Sequence, residues 1–204
     1  MDLWIVGAGG LGREVLDACL AGEREVTGFL DEALSGEVVR DLPVLRPEDP
    51  SGAANGMAYV IGIAEPTVRY RLAATLDQRG LTAETVIHPA ALVAPSTEVG
   101  RGCILLANAY VSSSVRLGDH TQVHYNATVG HDAVLGHFVT VYPGTNISGS
   151  ARLADEASVG SNAVVLQGRV VGRRAFVGAG AVVTRDVADG VTVVGSPARP
   201  LNHS

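Results

Sequence analysis

The stretch from Val123 to Ile147, VHYNATVGHDAVLGHFVTVYPGTNI, places an aliphatic residue at every sixth position. The same period continues in both directions without a miss, over 17 positions in all. The series is Ile87, Val93, Val99, Leu105, Val111, Leu117, Val123, Val129, Leu135, Val141, Ile147, Leu153, Val159, Val165, Val171, Val177 and Val183. A hexapeptide period predicts a parallel β-helix, in which short strands stack along an axis and bury their aliphatic side chains.

The period also supplies a coordinate system. Three hexads make one triangular turn of the helix, here called a rung, so the series predicts between five and six rungs. Residues 18 apart then stack on neighbouring rungs at about the 4.8 Å spacing of paired strands. A period of six excludes a coiled coil, and the hexads leave no room for the helical crossovers of a doubly wound fold.

The N-terminal part has a different pattern. Residues 3–6 form a predicted strand, Gly7 to Gly12 read GAGGLG, and an apolar-periodic helix follows to about Ala21. A second strand, 26–30, ends at Asp31. This spacing is typical of a loop that binds phosphates at a helix N-terminus, with an acid that reaches ribose hydroxyls.

Alone, the glycine motif would suggest an NAD-dependent oxidoreductase. The α/β part is too short for that, because it holds about one mononucleotide-binding half and not the two that a dinucleotide spans. A strand over 59–63 and a helix over 66–79 complete it, and residues 32–57 are interpreted as a loop-rich connection. The sequence thus predicts a small Rossmann-like parallel α/β domain in residues 1–86 and a β-solenoid with a C-terminal tail in residues 87–204.

Composition excludes several classes of partner. The 204 residues carry a net charge of -6, and all 15 basic residues are scattered arginines, so nucleic acid and anionic membrane are not expected partners. No apolar stretch approaches the roughly 20 residues of a membrane span. Cys19 and Cys103 lie far apart and no leader pattern precedes the first strand, so we expect a cytoplasmic protein without a disulfide framework.

The whole chain resembles the bacterial sugar O- and N-acyltransferases, a group that includes sialic acid O-acetyltransferases and UDP-4-amino-sugar or perosamine N-acetyltransferases. The motifs that carry the resemblance are Gly7 to Gly12, Phe29-Leu30-Asp31-Glu32, Leu42-Pro43-Val44-Leu45, Ile61-Gly62, Ile87-His88-Pro89, Gly130-His131-Asp132 and Val194-Gly195-Ser196-Pro197-Ala198-Arg199. The resemblance implies a left-handed β-helix and acetyl-CoA as co-substrate.

It also implies catalytic roles. His131 would be the general base, Asp132 would orient it, and the backbone N–H of Gly149 would stabilise the oxyanion. An imidazole suits this task because it titrates near neutral pH. The hexad register agrees independently, since Gly149 follows His131 by one rung of 18 residues.

The implied ligand contacts fall into two groups. Thr140, Ser161 and Ala179 would line an acetyl-CoA groove between adjacent subunits of a homotrimer, and Arg199 would meet the CoA phosphates. The acceptor, a nucleotide-linked amino sugar, would contact Gly9, Gly10, Leu11, Asp31, Glu32, Gly62 and Arg69. The family usually has His where this chain has Leu11, and Asn where it has His124.

Alternatives remain open at this level. His137 occupies the same hexad position as His131, and only the following acid and the motif favour His131. O-acetylation of a sialic acid or related sugar would use the same base. A non-catalytic scaffold, or a γ-class carbonic anhydrase with zinc on His124, His131 and His137, is also possible. The mixed hexad positions of these histidines argue against zinc, so no metal is expected.

Overall fold

A computed structural model describes residues 2–47 and 57–201. Within these ranges the helices are α1 (Gly10–Ala21) and α2 (Pro66–Gln78). The first sheet contains β1 (Asp2–Val6), β2 (Gly28–Leu30), β3 (Val38–Val39), β4 (Leu42–Leu45), β5 (Met57–Ile61) and β6 (Thr82–Ala83). Neither helix is long and apolar enough to cross a bilayer.

The first sheet is a single Rossmann-like half. Its strand order is β3-β4-β2-β1-β5-β6, and all pairs are parallel except β3 with β4. The strand β1 is buried along most of its length because it lies between β2 and β5. The helix α2 begins with Pro66 in its first turn, and the Glu65 carboxylate accepts the Thr67 N–H at 3.3 Å.

The predicted loop-rich connection over 32–57 contains, in its described part, a β-hairpin that the sequence did not resolve. Val39 pairs with Leu42, and the two intervening residues, Arg40 and Asp41, have φ of +52° and +63°. Two consecutive residues with φ in the left-handed region form a type I′ turn, whose twist matches that of the two flanking strands. Glycine or asparagine usually marks such a turn, and neither is present here. Residues 48–56 of the predicted connection lie outside the described residues.

The remaining strands form a parallel β-helix, except that the last strand, Arg199–Pro200, pairs antiparallel with Thr192–Val194. They are β7 (Val86–Ile87), β8 (Leu92–Val93), β9 (Glu98–Val99), β10 (Ile104–Leu105), β11 (Tyr110–Val111), β12 (Arg116–Leu117), β13 (Gln122–Val123), β14 (Thr128–Val129), β15 (Val134–Leu135), β16 (Thr140–Val141), β17 (Asn146–Ile147), β18 (Arg152–Leu153), β19 (Ser158–Val159), β20 (Val164–Val165), β21 (Val170–Val171), β22 (Phe176–Val177), β23 (Val182–Val183), β24 (Thr192–Val194) and β25 (Arg199–Pro200). The fold class predicted from the sequence is therefore confirmed.

The predicted register is confirmed as well. Arg116 pairs with Val134, and Thr140 pairs with Ser158, each 18 residues on. The strands β7 to β23 make five full rungs and two sides of a sixth. Every inward aliphatic position from Leu105 to Val183 is buried, whereas Ile87 is 43% exposed because it lies at the open end of the bore.

The two halves share a packed interface. Four outward residues of one β-helix side are buried against the α/β half, and we call them the covered face: Val86, Ile104, Gln122 and Thr140. The helix α1 packs there, since its Val15 and Leu16 belong to the same apolar cluster as Val86 and Ile104. The α/β half is thereby held in a fixed position on the β-helix.

Candidate functional site

The site begins with a histidine at a corner of the β-helix. His131 follows β14, and Asp132 turns the chain with φ of +58°. The Nδ1 atom of His131 lies 2.7 Å from Oδ2 of Asp132. A carboxylate can only accept, so Nδ1 carries the proton and Nε2 of the neutral ring is an acceptor. The His131 side chain is 58% exposed, which leaves this acceptor open to a substrate.

Gly149 lies directly beside the imidazole. The N–H of Ser150 donates to the His131 carbonyl at 2.7 Å, and a Cβ atom at Gly149 would lie 2.6 Å from His131 Nε2. The N–H of Gly149 has no hydrogen-bond partner within the described residues. An unused backbone donor therefore lies next to the ring nitrogen that is the acceptor in the neutral histidine.

His137, which occupies the same hexad position as His131, favours the opposite tautomer. His137 Nδ1 accepts the backbone N–H of Asp119 at 3.0 Å. In a neutral ring the proton must then be on Nε2, which cannot accept another. The structure thus separates two histidines that the period alone could not.

The glycine loop forms an open edge at the start of α1. Gly9 and Gly10 are exposed, and Cβ atoms there would meet nothing within 4 Å. Asp31 closes the loop from the side: its Oδ2 accepts the Ala8 N–H at 2.9 Å, and its Oδ1 accepts the N–H groups of Ala33 and Leu34 at 3.0 and 3.2 Å. Asp31 therefore organises the loop backbone.

A cleft of about 280 Å³ opens at the carboxyl ends of β1, β2 and β5. Its walls are largely apolar and come from Val6, Leu30, Ile63, Leu72 and Leu76. Glu32, Thr75 and Arg79 add polar groups. The sequence predicted Asp31 and Glu32 here but missed the α2 residues.

Comparison with known proteins decides the family. Residues 2–76 match the model of the PglD N-terminal domain. The acetyltransferase domain of PglB from Neisseria gonorrhoeae is 34% identical, with 98% of this chain and 99% of that chain covered and a TM-score of 0.92. The chain belongs to the bacterial sugar acyltransferase family. No curated protein sequence matched in a separate comparison.

Two further solved structures support the family. WeeI from Acinetobacter baumannii is 33% identical over 98% of this chain and 100% of that one, with a TM-score of 0.94. A His-to-Asn variant of perosamine N-acetyltransferase from Caulobacter crescentus, in complex with CoA and GDP-perosamine, is 26% identical over 100% and 98%, also with a TM-score of 0.94. The predicted enzyme class is confirmed: this acyltransferase is an acetyl-CoA-dependent acetyltransferase.

Arg69 of the acyltransferase departs from its predicted role. It was expected to contact the acceptor, but it is 1% exposed and lies between α2 and the covered face. Its guanidinium donates to carbonyl oxygens of both halves, among them Ala64 at 2.8 Å, His120 at 3.1 Å and Phe138 at 2.7 Å. Burial lowers the pKa of Arg69 to about 10. This residue joins the two halves and has no surface for a ligand.

Thr140 belongs to the same junction. It was expected to contact CoA, yet its side chain is fully buried. Its Oγ1 donates to the Ala64 carbonyl at 2.8 Å and accepts from Arg69 Nη2 at 3.0 Å. The outward hexad position predicted exposure, but the α/β half covers this side of the β-helix.

The other predicted ligand residues differ in accessibility. Ser161 and Ala179 stack one rung apart, since Gly180 N–H donates to the Ser161 carbonyl at 2.9 Å, and Ala179 is exposed. Arg199 is exposed in β25. Gly62, in contrast, is buried, and a Cβ atom there would lie 2.7 Å from the Gly12 Cα. Close backbone packing explains the glycine at position 62.

Leu11 and two further histidines are packed inward. Leu11 is partly buried and packs against the apolar cluster that contains Val15 and Leu16 of α1, so an apolar packing residue occupies the position at which the resemblance implies a histidine. His120 lies between the rings of Tyr59 and Phe138, at centroid distances of 6.0 and 5.0 Å. His120 and His124 are 2% and 4% exposed, and burial lowers the pKa of each to about 4.

Zinc chemistry finds no geometric support. Within residues 2–47 and 57–201, no group of three or more His, Cys, Asp or Glu side chains is placed to hold a metal ion. Of the three histidines considered for zinc, His131 and His137 each contact an aspartate at a different corner, and His124 is buried.

Proposed function

We propose that this acyltransferase moves an acetyl group from acetyl-CoA to the amino group of a nucleotide-linked amino sugar, of the UDP-4-amino-sugar or GDP-perosamine type. The observation that carries the proposal is the pairing of His131 with Gly149. One presents an unprotonated Nε2, and the other an unused N–H beside it.

The reaction follows from these two groups. The acceptor amine attacks the thioester carbonyl directly as His131 Nε2 removes its proton, and Asp132 stabilises the imidazolium that forms. The Gly149 N–H donates to the oxyanion of the tetrahedral intermediate. The C–S bond then breaks, and the proton held by His131 passes to the CoA sulfur, which leaves as the thiol.

The α/β half supports a sugar nucleotide as acceptor. Gly9 and Gly10 leave the N-terminus of α1 open, where backbone N–H groups and the helix dipole favour a diphosphate. The cleft beside them fits one base or ribose. The perosamine N-acetyltransferase structure, which contains GDP-perosamine, is consistent with this arrangement.

The geometry also supports catalytic sites between subunits of a homotrimer. Ser161 and Ala179 lie at the corner after β19 and β22, whereas His131 lies at the next corner, after β14. One full side of the triangular cross-section separates them within a chain. A groove formed by two subunits would bring the corner of one beside that of the other, with Arg199 at the C-terminal end for the CoA phosphates.

The test is an acetyl-transfer assay read by mass spectrometry, with UDP- and GDP-linked amino sugars, CMP-linked sugars and free sialic acid as acceptors. We expect stable amide products with the amino sugars. His131→Asn should lower turnover by about 10² or more. His137→Asn is the matched control and should keep turnover within about twofold.

Three outcomes would each contradict part of the proposal. Full activity of His131→Asn would exclude His131 as the base. Products that lose their acetyl group in mild alkali would be esters and would indicate O-acetylation instead. Analytical ultracentrifugation should show three chains per particle, and an active monomer would contradict the sites between subunits.

A further inference from the structure

Ser113 lies one rung before His131, on the N-terminal side of the imidazole. Its carbonyl accepts the Asp132 N–H at 3.0 Å, which fixes its place beside the catalytic pair. The residue is exposed, and neither its hydroxyl nor its backbone N–H has a hydrogen-bond partner within residues 2–47 and 57–201. Ser113 therefore offers a hydroxyl and a backbone donor to a molecule that contacts His131.

The orientation of His131 is what leaves the Ser113 N–H free. At the corner after β12 and β15, His137 Nδ1 accepts the N–H of the residue one rung earlier, Asp119, at 3.0 Å. His131 Nδ1 lies instead 2.7 Å from Asp132 Oδ2, and the corresponding N–H, that of Ser113, has no partner in the described part of the chain. The contact that fixes the tautomer of the base also frees a backbone donor next to it.

The order of groups along the β-helix axis places Ser113 on the acceptor side of the base. The α/β half covers the N-terminal rungs, since the covered face ends at Thr140 and Phe176 on the same side is 41% exposed. The proposed CoA residues lie towards the other end, after β19 and β22 and in β25. The order is then α/β half, Ser113, His131, Gly149 and CoA groove. In the proposed homotrimer, a threefold axis along the β-helix keeps this order for every subunit.

A hydroxyl on the carbon next to the amine is the part of the acceptor that Ser113 can reach. Hydrogen bonds of about 2.9 Å from rungs about 4.8 Å apart can converge on neighbouring substituents of one sugar ring. We propose that the Ser113 hydroxyl and N–H bind this neighbouring hydroxyl and so hold the amine at His131 Nε2. The proposal rests on the proposed function, because it assumes an amino sugar as acceptor. It adds a specificity-determining residue and a requirement for a hydroxyl beside the amine.

Two substitutions remove the groups of Ser113 in turn. Ser113→Ala removes the hydroxyl, and Ser113→Pro also removes the N–H. The fold accepts proline here, because Pro95 occupies the equivalent position one rung earlier and the Ser113 N–H makes no hydrogen bond within the described ranges. Ser114→Ala is the matched control, since Ser114 is also exposed. All three variants should keep the Tm of the unaltered protein.

The test is steady-state kinetics of the full chain with GDP-perosamine and a UDP-4-amino-sugar, each compared with its analogue that lacks the hydroxyl next to the amine. Ser113→Ala should lower kcat/KM for the acceptor about tenfold, the range of one hydrogen bond, and Ser113→Pro should lower it further. The KM for acetyl-CoA should stay within about twofold, because the thioester lies on the other side of His131. The analogue should react about tenfold or more slowly than its parent with the unaltered enzyme, and within about twofold of it with Ser113→Pro.

The outcomes separate this proposal from the function it rests on. Unchanged kcat/KM in both Ser113 variants would overturn the role of Ser113 and leave the proposed reaction intact. Equal losses for parent and analogue in Ser113→Pro, or an equal loss in Ser114→Ala, would overturn it too, because either pattern identifies a disturbed corner. If the unaltered enzyme acetylates no amino sugar, the proposed function fails and this proposal fails with it.

Discussion

A single methyl group at Gly149 should disable the catalytic base without unfolding the protein. In Gly149→Ala the new Cβ would lie 2.6 Å from Nε2, 2.7 Å from Cε1 and 3.1 Å from Cδ2 of His131. Carbon atoms in contact are normally 3.5–4.0 Å apart, so the ring must move by roughly 1 Å or rotate away. The backbone tolerates the change, since Gly149 does not have a positive φ.

Gly149→Ala should change the free energy of unfolding little and turnover a great deal. The His131 side chain is 58% exposed, so it can rotate into solvent, and we expect the free energy of unfolding to change by less than about 0.5 kcal/mol. Loss of a positioned general base lowers turnover by about 10² to 10⁴. The Gly149 N–H itself is retained, which leaves the oxyanion donor in place.

The assay is a double-mutant cycle with steady-state kinetics and thermal unfolding for each variant. Gly149→Ala should reduce kcat about 100-fold, and adding it to His131→Asn should cost almost nothing more, because both changes remove the same base. Gly22→Ala, where the new Cβ makes ordinary contacts of 3.6–3.7 Å, is the control. Near-normal kcat in Gly149→Ala, or fully additive losses in the double variant, would refute the reasoning.

Two further predictions concern stability. Arg69→Met should destabilise the protein by about 3 kcal/mol, because buried carbonyls lose a charged donor, and should lower Tm by roughly 6–12 °C. The exposed control Arg71→Met should leave Tm unchanged. An unchanged Tm in Arg69→Met would contradict the buried junction. Because burial lowers the pKa of His120 and His124 to about 4, the unfolded chain binds more protons between pH 4 and 6.5, so stability should fall by about 1.4 kcal/mol per histidine for each pH unit of acidification. His120→Phe keeps the ring stack and should halve that slope in chemical unfolding measured across this range; an unaltered slope would exclude His120.

The β-helix was predictable because the six-residue period of the sequence directly sets the strand register, in which residues 18 apart pair. Once hexads were counted, Gly149 had to lie beside His131, and the structure places it there. The orientation of the imidazole was not predictable. It depends on whether Nδ1 faces Asp132 or a backbone N–H, as it does in His137, and both residues have the same position in the repeat.

Two of the errors share one physical cause, which is packing between distant parts of the chain. Thr140 occupies an outward position, and the period contains no information on which side the α/β half covers. The resemblance implied an acceptor contact for Arg69, and the sequence gives no sign that this arginine is buried, because an arginine is rarely buried without a carboxylate partner. Asp31 sits where a dinucleotide motif expects a ribose ligand, but its oxygens are used by nearby backbone donors. The hairpin turn at Arg40 and Asp41 lacked the residues that usually signal it.

The buried guanidinium at the junction also limits how this architecture can diversify. Arg69 reaches carbonyls of β-helix residues that no hexad rule specifies, and Gln122 adds hydrogen bonds back to Ile61 and Ile63. A recombination that brought in a foreign N-terminal half without Arg69 would leave these carbonyls and amides unsatisfied inside the molecule. New acceptor preferences should therefore arise by substitutions around the cleft more readily than by exchange of the whole half.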